Sequence, residues 1–289
     1  MNFGKTKKFF YRTTAWLLVF ALLITLLPPI QGNVAAAEKN YETVKNVKDL
    51  KELTELRTEK SKTYLDSKTR EYVLEEYTEP IHFKKDKKWE NINNTIINGE
   101  PESDDADLSL ENKANKYNVK FSKKSKDNKT LRLKWKEKRL EYGIEGAKKV
   151  QGQIKKNRVT YPAIFKDTDL TFYADNMAVK EEVILHSKQA KNEFTYEFNL
   201  KNIEAKKGKN GDILFVDKEG KTFFTLTKPF MYDSGDHISH EVSMELRTEK
   251  GKTYVDVVAD KAWLNASDRK YPVVIDPSVV IQDDTTEDS

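Results

Sequence analysis

From about residue 118 onward, the chain alternates apolar and polar positions with a period of two. Leu131, Leu133 and Trp135 alternate with Arg132 and Lys134. Phe194, Tyr196, Phe198 and Leu200 alternate with Thr195, Glu197 and Asn199, and Val242, Met244 and Leu246 with Ser243 and Glu245. Successive strand side chains point to opposite faces, so each run places one face in a core and one in water. Turn signals separate the runs: Ser125 to Asn128, Asp175-Asn176, Asp217 to Gly220 and Glu249 to Gly251. The pattern predicts consecutive antiparallel hairpins, and therefore a mainly β fold of one large or two smaller β-sandwiches. One short helix is expected near the N-terminus, where Val47, Leu50, Leu53 and Leu56 recur every three residues behind Asn46.

The extreme N-terminus follows a different pattern. Lys5, Lys7, Lys8 and Arg12 precede an apolar run, Ala15 to Leu27, and then Pro28-Pro29 and Ala35-Ala36-Ala37. This is the layout of a secretory signal peptide with cleavage after Ala37. The apolar run is shorter than the ~20 residues a membrane span needs. The expected organisation is a signal peptide at 1–37, an extension with the short helix at 38–56 and a β-rich module at 57–279. The module has a possible subdivision in the acidic stretch 100–112, and a linker to a further domain starts at 280–289. The expected product is secreted, at the wall or outside the cell, with no membrane contact once the signal is removed.

Removing the signal changes the charge picture. The whole chain has 51 Lys+Arg against 47 Asp+Glu, and the four basic residues in excess all lie in the signal. What remains is formally neutral, which gives no support to a nucleic-acid partner. The charge is uneven, however. Residues 113–158 hold seventeen Lys/Arg and four acids, preceded by the acidic group Glu102, Asp104, Asp105, Asp107 and Glu111. Lys120, Lys123, Lys124, Lys126, Lys148, Lys149, Lys155 and Lys156 are candidate contacts for an anionic wall polymer such as teichoic acid. The competing reading is that they protect strand edges and solvated faces. Trp89, flanked by lysine, is a candidate glycan contact or an ordinary strand aromatic.

Cysteine is absent, which excludes disulfides, thiolate metal sites and a thiol nucleophile. His237 and His240, with Asp236, form the one cluster with a metal-like composition, but it lacks the His-Glu-x-x-His spacing that places a general base beside a bound water. Glu181-Glu182 are adjacent and should point to opposite faces, one at the surface and one in a salt bridge. No nucleophile elbow, phosphate loop or dinucleotide fingerprint is present. No catalytic residue, metal or cofactor is therefore expected.

Two segments nearly repeat. Residues 55–66 read ELRTEKSKTYLD and residues 245–256 read ELRTEKGKTYVD. The identity suggests a duplicated hairpin in equivalent places, or chance convergence of a charged hairpin.

A family resemblance enters at this point. Arg57 to Tyr64, Glu79 to Lys84, Lys88 to Asn94, Val159 to Tyr161, Lys228 to Asp233, Ala259 to Leu264 and above all Arg269 to Pro277 resemble the N-terminal module of wall-associated proteins of the Rhs/YD-repeat polymorphic-toxin family. Members are large exported proteins of Gram-positive bacteria that continue into wall domains, YD repeats and a C-terminal toxin. The resemblance implies a non-catalytic module at the wall, a fragment whose partners are wall polymers and downstream domains. Any toxin activity would lie outside this stretch. The alternatives are a stand-alone wall-polymer binder and a β-sandwich glycoside or metal-dependent hydrolase.

Overall fold

The computed structural model describes residues 10–11, 49–101, 103–126 and 128–282. The expected signal peptide and its cleavage after Ala37 lie outside the described residues, apart from Phe10–Tyr11, which pair with Leu74 and Glu75. The chain divides into two compact units, residues 1–90 and 91–289.

The first unit holds a four-stranded antiparallel sheet in the order Phe10–Tyr11, Tyr72–Glu76, Ser61–Asp66, Leu50–Glu52. Beside these strands is the two-stranded hairpin His82–Lys85 and Lys88–Asn91. Of the helix expected near Val47 to Leu56, Val47 and Lys48 lie outside the described residues, and residues 49–56 form no α-helix. Leu50–Glu52 is a strand on Ser61–Asp66, and Thr54–Leu56 is a single 3-10 turn. A three-residue repeat over one short segment provides too few turns to nucleate an α-helix, and strand pairing takes the backbone groups instead: Leu53 N–H donates to Thr63 O at 2.8 Å. Leu56 is left exposed.

The second unit is one β-sandwich. Its first sheet has eight strands in the order Val242–Glu249, Lys252–Ala259, Glu193–Lys201, Lys138–Ile144, Leu131–Trp135, Asn118–Ser122, Leu108–Ala114, Asn93–Asn98. The main path of the second runs Gln153–Lys155, Arg158–Phe165, Thr168–Ala174, Ala178–Leu185, Val279–Ile281, Thr222–Leu226, Ile213–Val216, Glu204–Lys207. Phe230–Asp233, Ile238–Ser239 and Val273–Asp276 complete its eleven strands. The hairpins expected at 119–135, 213–226 and 242–258 form as read. Aromatic rings from the two sheets meet between them: Phe121 with Phe172 at 5.6 Å, Phe198 with Phe215 at 5.3 Å and Phe165 with Phe194 at 5.7 Å between centroids. Large buried rings of this kind provide much of the apolar area and fix sheet spacing through edge and offset contacts.

Two expected boundaries move. The acidic stretch 100–112 enters the first sheet, with Leu108–Ala114 as a strand. Residues 280 and 281 belong to the inner strand Val279–Ile281, held on both sides by Ala178–Leu185 and Thr222–Leu226, because Val279 and Ile281 alternate into the core. Among the described residues the one α-helix is Lys261–Asn265, started by the Asp260 carboxylate accepting from Trp263 N–H at 2.6 Å. No helix among them is long and apolar enough to cross a membrane.

Candidate functional site

The basic segment folds into two distinct settings. The first is the outward face of the eight-stranded sheet, where cross-strand register aligns Glu111, Lys120, Arg132 and Glu141 in one row. The two outer pairs, Glu111 with Lys120 and Arg132 with Glu141, are opposite in sign and stabilise the sheet, whereas Lys120 and Arg132 at the centre are like charges directly opposite and need further acids. The acidic segment before it folds back over this row. Both carboxylate oxygens of Asp104 accept from the Arg132 guanidinium at 2.8 Å, a bidentate pair, and Arg132 Nε donates to Glu141. Lys126 contacts Asp105 at 2.9 Å and Asp107 at 3.0 Å, and Lys129 lies 3.5 Å from both Asp105 and Glu141. Lys120 reaches Glu111 at 3.4 Å and donates to Glu100 O at 2.5 Å. Arg132 is buried as a result, and the hydrogen bonds from its guanidinium hold Asp104 down at about 2.

The second setting is open. Lys123, Lys124, Lys148, Lys149, Lys155 and Lys156 are all exposed, and make no ion pair among the described residues. Backbone hydrogen bonds gather four of them. Ser125 N–H donates to Val150 O at 2.9 Å, Gly152 N–H to Lys123 O at 2.8 Å and the Ser125 hydroxyl to Lys148 O at 2.6 Å. Ser125 is itself fully buried, so these bonds bind the two loops rigidly at that point. Lys155 and Lys156 follow at the turn between Gln153–Lys155 and Arg158–Phe165. Of the eight lysines selected from sequence, Lys120 and Lys126 are therefore committed to acids, and six form the open group.

A cleft of about 440 Å³ adjoins Lys155 on the outward face of the eleven-stranded sheet, lined among others by Gln153, Arg158, Thr160, Thr171 and Tyr173. The Arg158 guanidinium lies 5.8 Å from the Tyr173 ring centroid, and Tyr173 Oη donates to Glu182 at 2.9 Å. The sequence reading missed Arg158, Thr160, Thr171 and Tyr173. The alternation of inward Val159 and Tyr161 with outward Arg158 and Thr160 was the available signal.

The remaining candidates take structural positions. Asp233 is buried; burial alone would raise its carboxyl, but hydrogen bonds from Lys270 N–H, His237 and Arg269 hold it well below the usual range. His237 Nδ1 sits 3.0 Å from Asp233 Oδ2, His240 is exposed with its ring 6.3 Å from Phe230, and Asp236 is an exposed turn residue at φ +64°. Among the described residues, no three His, Asp or Glu side chains are grouped to hold a metal ion. Trp89 lies in the first unit, half-buried, with Lys84 Nζ 5.2 Å from its ring centroid. Glu181 is neither surface nor salt-bridged: it is fully buried between the sheets and accepts from Tyr142 at 2.8 Å and Tyr196 at 2.6 Å. Burial pushes it up to about 8, against the two hydroxyls that draw it down.

Comparison with known proteins adds the setting. The family described as "Domain of unknown function (DUF7948)" matches residues 48–278. The tRNA nuclease WapA of Bacillus subtilis (strain 168) is 29% identical over 317 residues, covering 95% of this chain and 13% of that protein. The tRNA(Glu)-specific nuclease WapA of Bacillus subtilis subsp. natto is 30% identical over 312 residues, covering 93% of this chain and again 13% of the relative. A wall-associated protein of Geobacillus stearothermophilus is 29% identical over 249 residues, covering 78% of this chain and 96% of that one. No solved structure matches. The chain thus spans about an eighth of the length of the WapA relatives it matches. These names correct the expectation that the chain is not an enzyme: proteins similar to nearly all of it are named as tRNA nucleases, and the lack of a recognisable catalytic motif in the sequence was no ground for excluding enzymatic activity.

Proposed function

Since the chain belongs to the family described as a domain of unknown function (DUF7948), we propose that it is the exported, wall-facing module of a toxin-delivery protein, and that its open lysine group docks on the anionic polymers of a Gram-positive wall. The relatives support a wall-associated module of a toxin family. Export through the segment ending at Ala37, membership of a longer protein and service to a tRNA-cleaving toxin are parts of the proposal. They draw on the N-terminal charge and hydropathy pattern, on the length of the WapA relatives and on their names.

The observation that carries the reading is the sorting of charge. The acidic segment neutralises lysines and arginines of one sheet face, whereas four lysines at the joined loops and two at the following turn keep no acid among the described residues. Ammonium groups gathered without partners attract a polyanion, and such attraction is screened by salt.

Cell fractionation tests the reading. An antibody to the β-sandwich should detect the protein in wall extract and culture fluid, shortened at its N-terminus relative to the translated chain. Full-length protein confined to the cytoplasm would reject both export and wall docking.

A further inference from the structure

We propose that the cleft beside Lys155 is a binding subsite for one repeat of a polyol-phosphate or sugar-phosphate chain. This assignment rests on the wall-docking reading and names the ligand unit that reading lacks.

The cleft is built by cross-strand register. Lys155 pairs with Arg158, and Arg158 pairs with Tyr173, so two cations and an aromatic ring stand in one row across three strands. With neighbouring strands ~4.8 Å apart, that row covers roughly 10 Å, the scale of one phosphate and its adjoining polyol or sugar ring. The next row is Gln153, Thr160 and Thr171, again in direct register. Thr160 Oγ1 and Thr171 Oγ1 lie 3.0 Å apart and provide a hydroxyl pair at the floor. Each row contributes a different chemistry: charge and an apolar ring face in the first, hydroxyl and amide groups in the second.

The ring is fixed before a ligand arrives. Tyr173 Oη donates to Glu182 Oε2 at 2.9 Å, and the other oxygen of Glu182 accepts from Tyr232 Oη at 3.4 Å. The Arg158 guanidinium lies 5.8 Å from the ring centroid. A guanidinium and an ammonium side by side suit a phosphodiester, since the planar fork takes two oxygens and the ammonium adds charge. The aliphatic C–H edge of a polyol or sugar then lies on Tyr173, with its hydroxyls against Thr160, Thr171 and Gln153. The volume of about 440 Å³ falls within the roughly 300–1,000 Å³ of small-ligand sites. Charge complementarity commits the site to an anionic occupant: Lys156 and the joined loops bearing Lys123, Lys124, Lys148 and Lys149 continue the positive surface beyond Lys155.

The test titrates the full chain with a short poly(glycerol phosphate) oligomer, and with glycerol, inorganic phosphate and a single-stranded RNA oligonucleotide of equal charge. The oligomer should bind, and Tyr173→Ala and Arg158→Gln should each weaken it roughly tenfold. Tyr173→Phe, which keeps the ring and removes the hydroxyl's contacts to Glu182 and Arg158, should stay within about twofold and serves as the folded control. The assignment is overturned if Tyr173→Ala binds the oligomer as wild type does, if inorganic phosphate competes as well as the oligomer, or if RNA of equal charge binds more tightly. If any of these occurs while the chain still sediments with purified walls, only the subsite is lost. If sedimentation is also absent, wall docking is lost with it.

Discussion

The clasped and open halves of the basic segment use the same residue types to opposite ends. In the clasped half, Arg132, Lys126 and Lys129 are paired with Asp104 and Asp105, and Arg132 is buried. In the open half, Lys123, Lys124, Lys148 and Lys149 project from loops joined by the buried Ser125 and remain available. A count of lysines therefore overstates the binding surface. What separates the halves is where the side chains go: residues 103–107 reach this loop too, pairing with Lys126 and accepting from Lys123 N–H through Asp107 O at 2.8 Å, but the Lys123 and Lys124 ammonium groups make no ion pair among the described residues.

The largest effect should come from the clasp. Arg132→Leu leaves Glu141, itself fully buried, without its main cation and should destabilise the sandwich by about 3–5 kcal/mol in denaturant unfolding. Arg132→Leu/Glu141→Leu should recover most of that loss. A single substitution costing under ~0.5 kcal/mol would mean the clasp is not structural.

Glu181 sharpens the contrast as a buried acid with hydroxyl partners and no cation. Its folded value of about 8 lies above its ordinary 4.5, so between those limits the folded protein holds a proton that the unfolded chain has released. Stability should therefore fall as pH rises from 4.5 to 8, with a slope of at most ~1.4 kcal/mol per pH unit from this group. Glu181→Gln should flatten that slope; an unchanged profile would remove Glu181 as its source. Asp104 has the opposite sign. Its depressed value gives stability that is present above its ordinary 3.8 and is lost as pH falls through about 2. Because the Asp104 side chain is half exposed and screened by solvent, Asp104→Asn should lower stability at neutral pH by no more than about 1 kcal/mol and weaken the acid limb.

The smallest effect on stability should come from the open half. Lys148→Glu/Lys149→Glu should move unfolding by no more than ~0.5 kcal/mol, because neither side chain has a partner to lose among the described residues. A destabilisation as large as that of Arg132→Leu would erase the distinction between the halves.

The fold class was legible because period-two alternation is dictated by the sheet itself, and the inward faces Leu131–Leu133–Trp135 and Phe194–Tyr196–Phe198 are buried as that pattern requires. Long-range and context-dependent features were not. The twin segments show why. In residues 245–256 the two turn residues Lys250 and Gly251 both have positive φ, +50° and +78°, the requirement of a tight hairpin turn, and the segment pairs as a hairpin. In residues 55–66 serine replaces that glycine. Ser61 opens a strand, its hydroxyl lies 2.6 Å from that of Thr58, and Thr54–Leu56 forms a 3-10 turn in place of a first strand. Of the two readings, a duplicated hairpin in equivalent places is not found: the segments form one hairpin and one different turn, with glycine against serine at the turn and different strand partners. The clasp was equally hidden: the acids and bases were visible as neighbouring clusters, but only the fold shows which lysines they reach. Glu181 was readable in principle, since Val179, Val183 and Leu185 share its parity and point inward.

The central claim, that the open lysines dock on wall anions, is tested most directly by sedimentation with purified Gram-positive walls, intact and stripped of their anionic polymer. The account predicts that the chain pellets with intact walls at low salt and is released near 1 M salt, where the screening length falls to ~3 Å. It also predicts no pelleting with stripped walls and none for Lys148→Glu/Lys149→Glu. Equal pelleting with stripped walls, or by the charge-reversed variant, would contradict it.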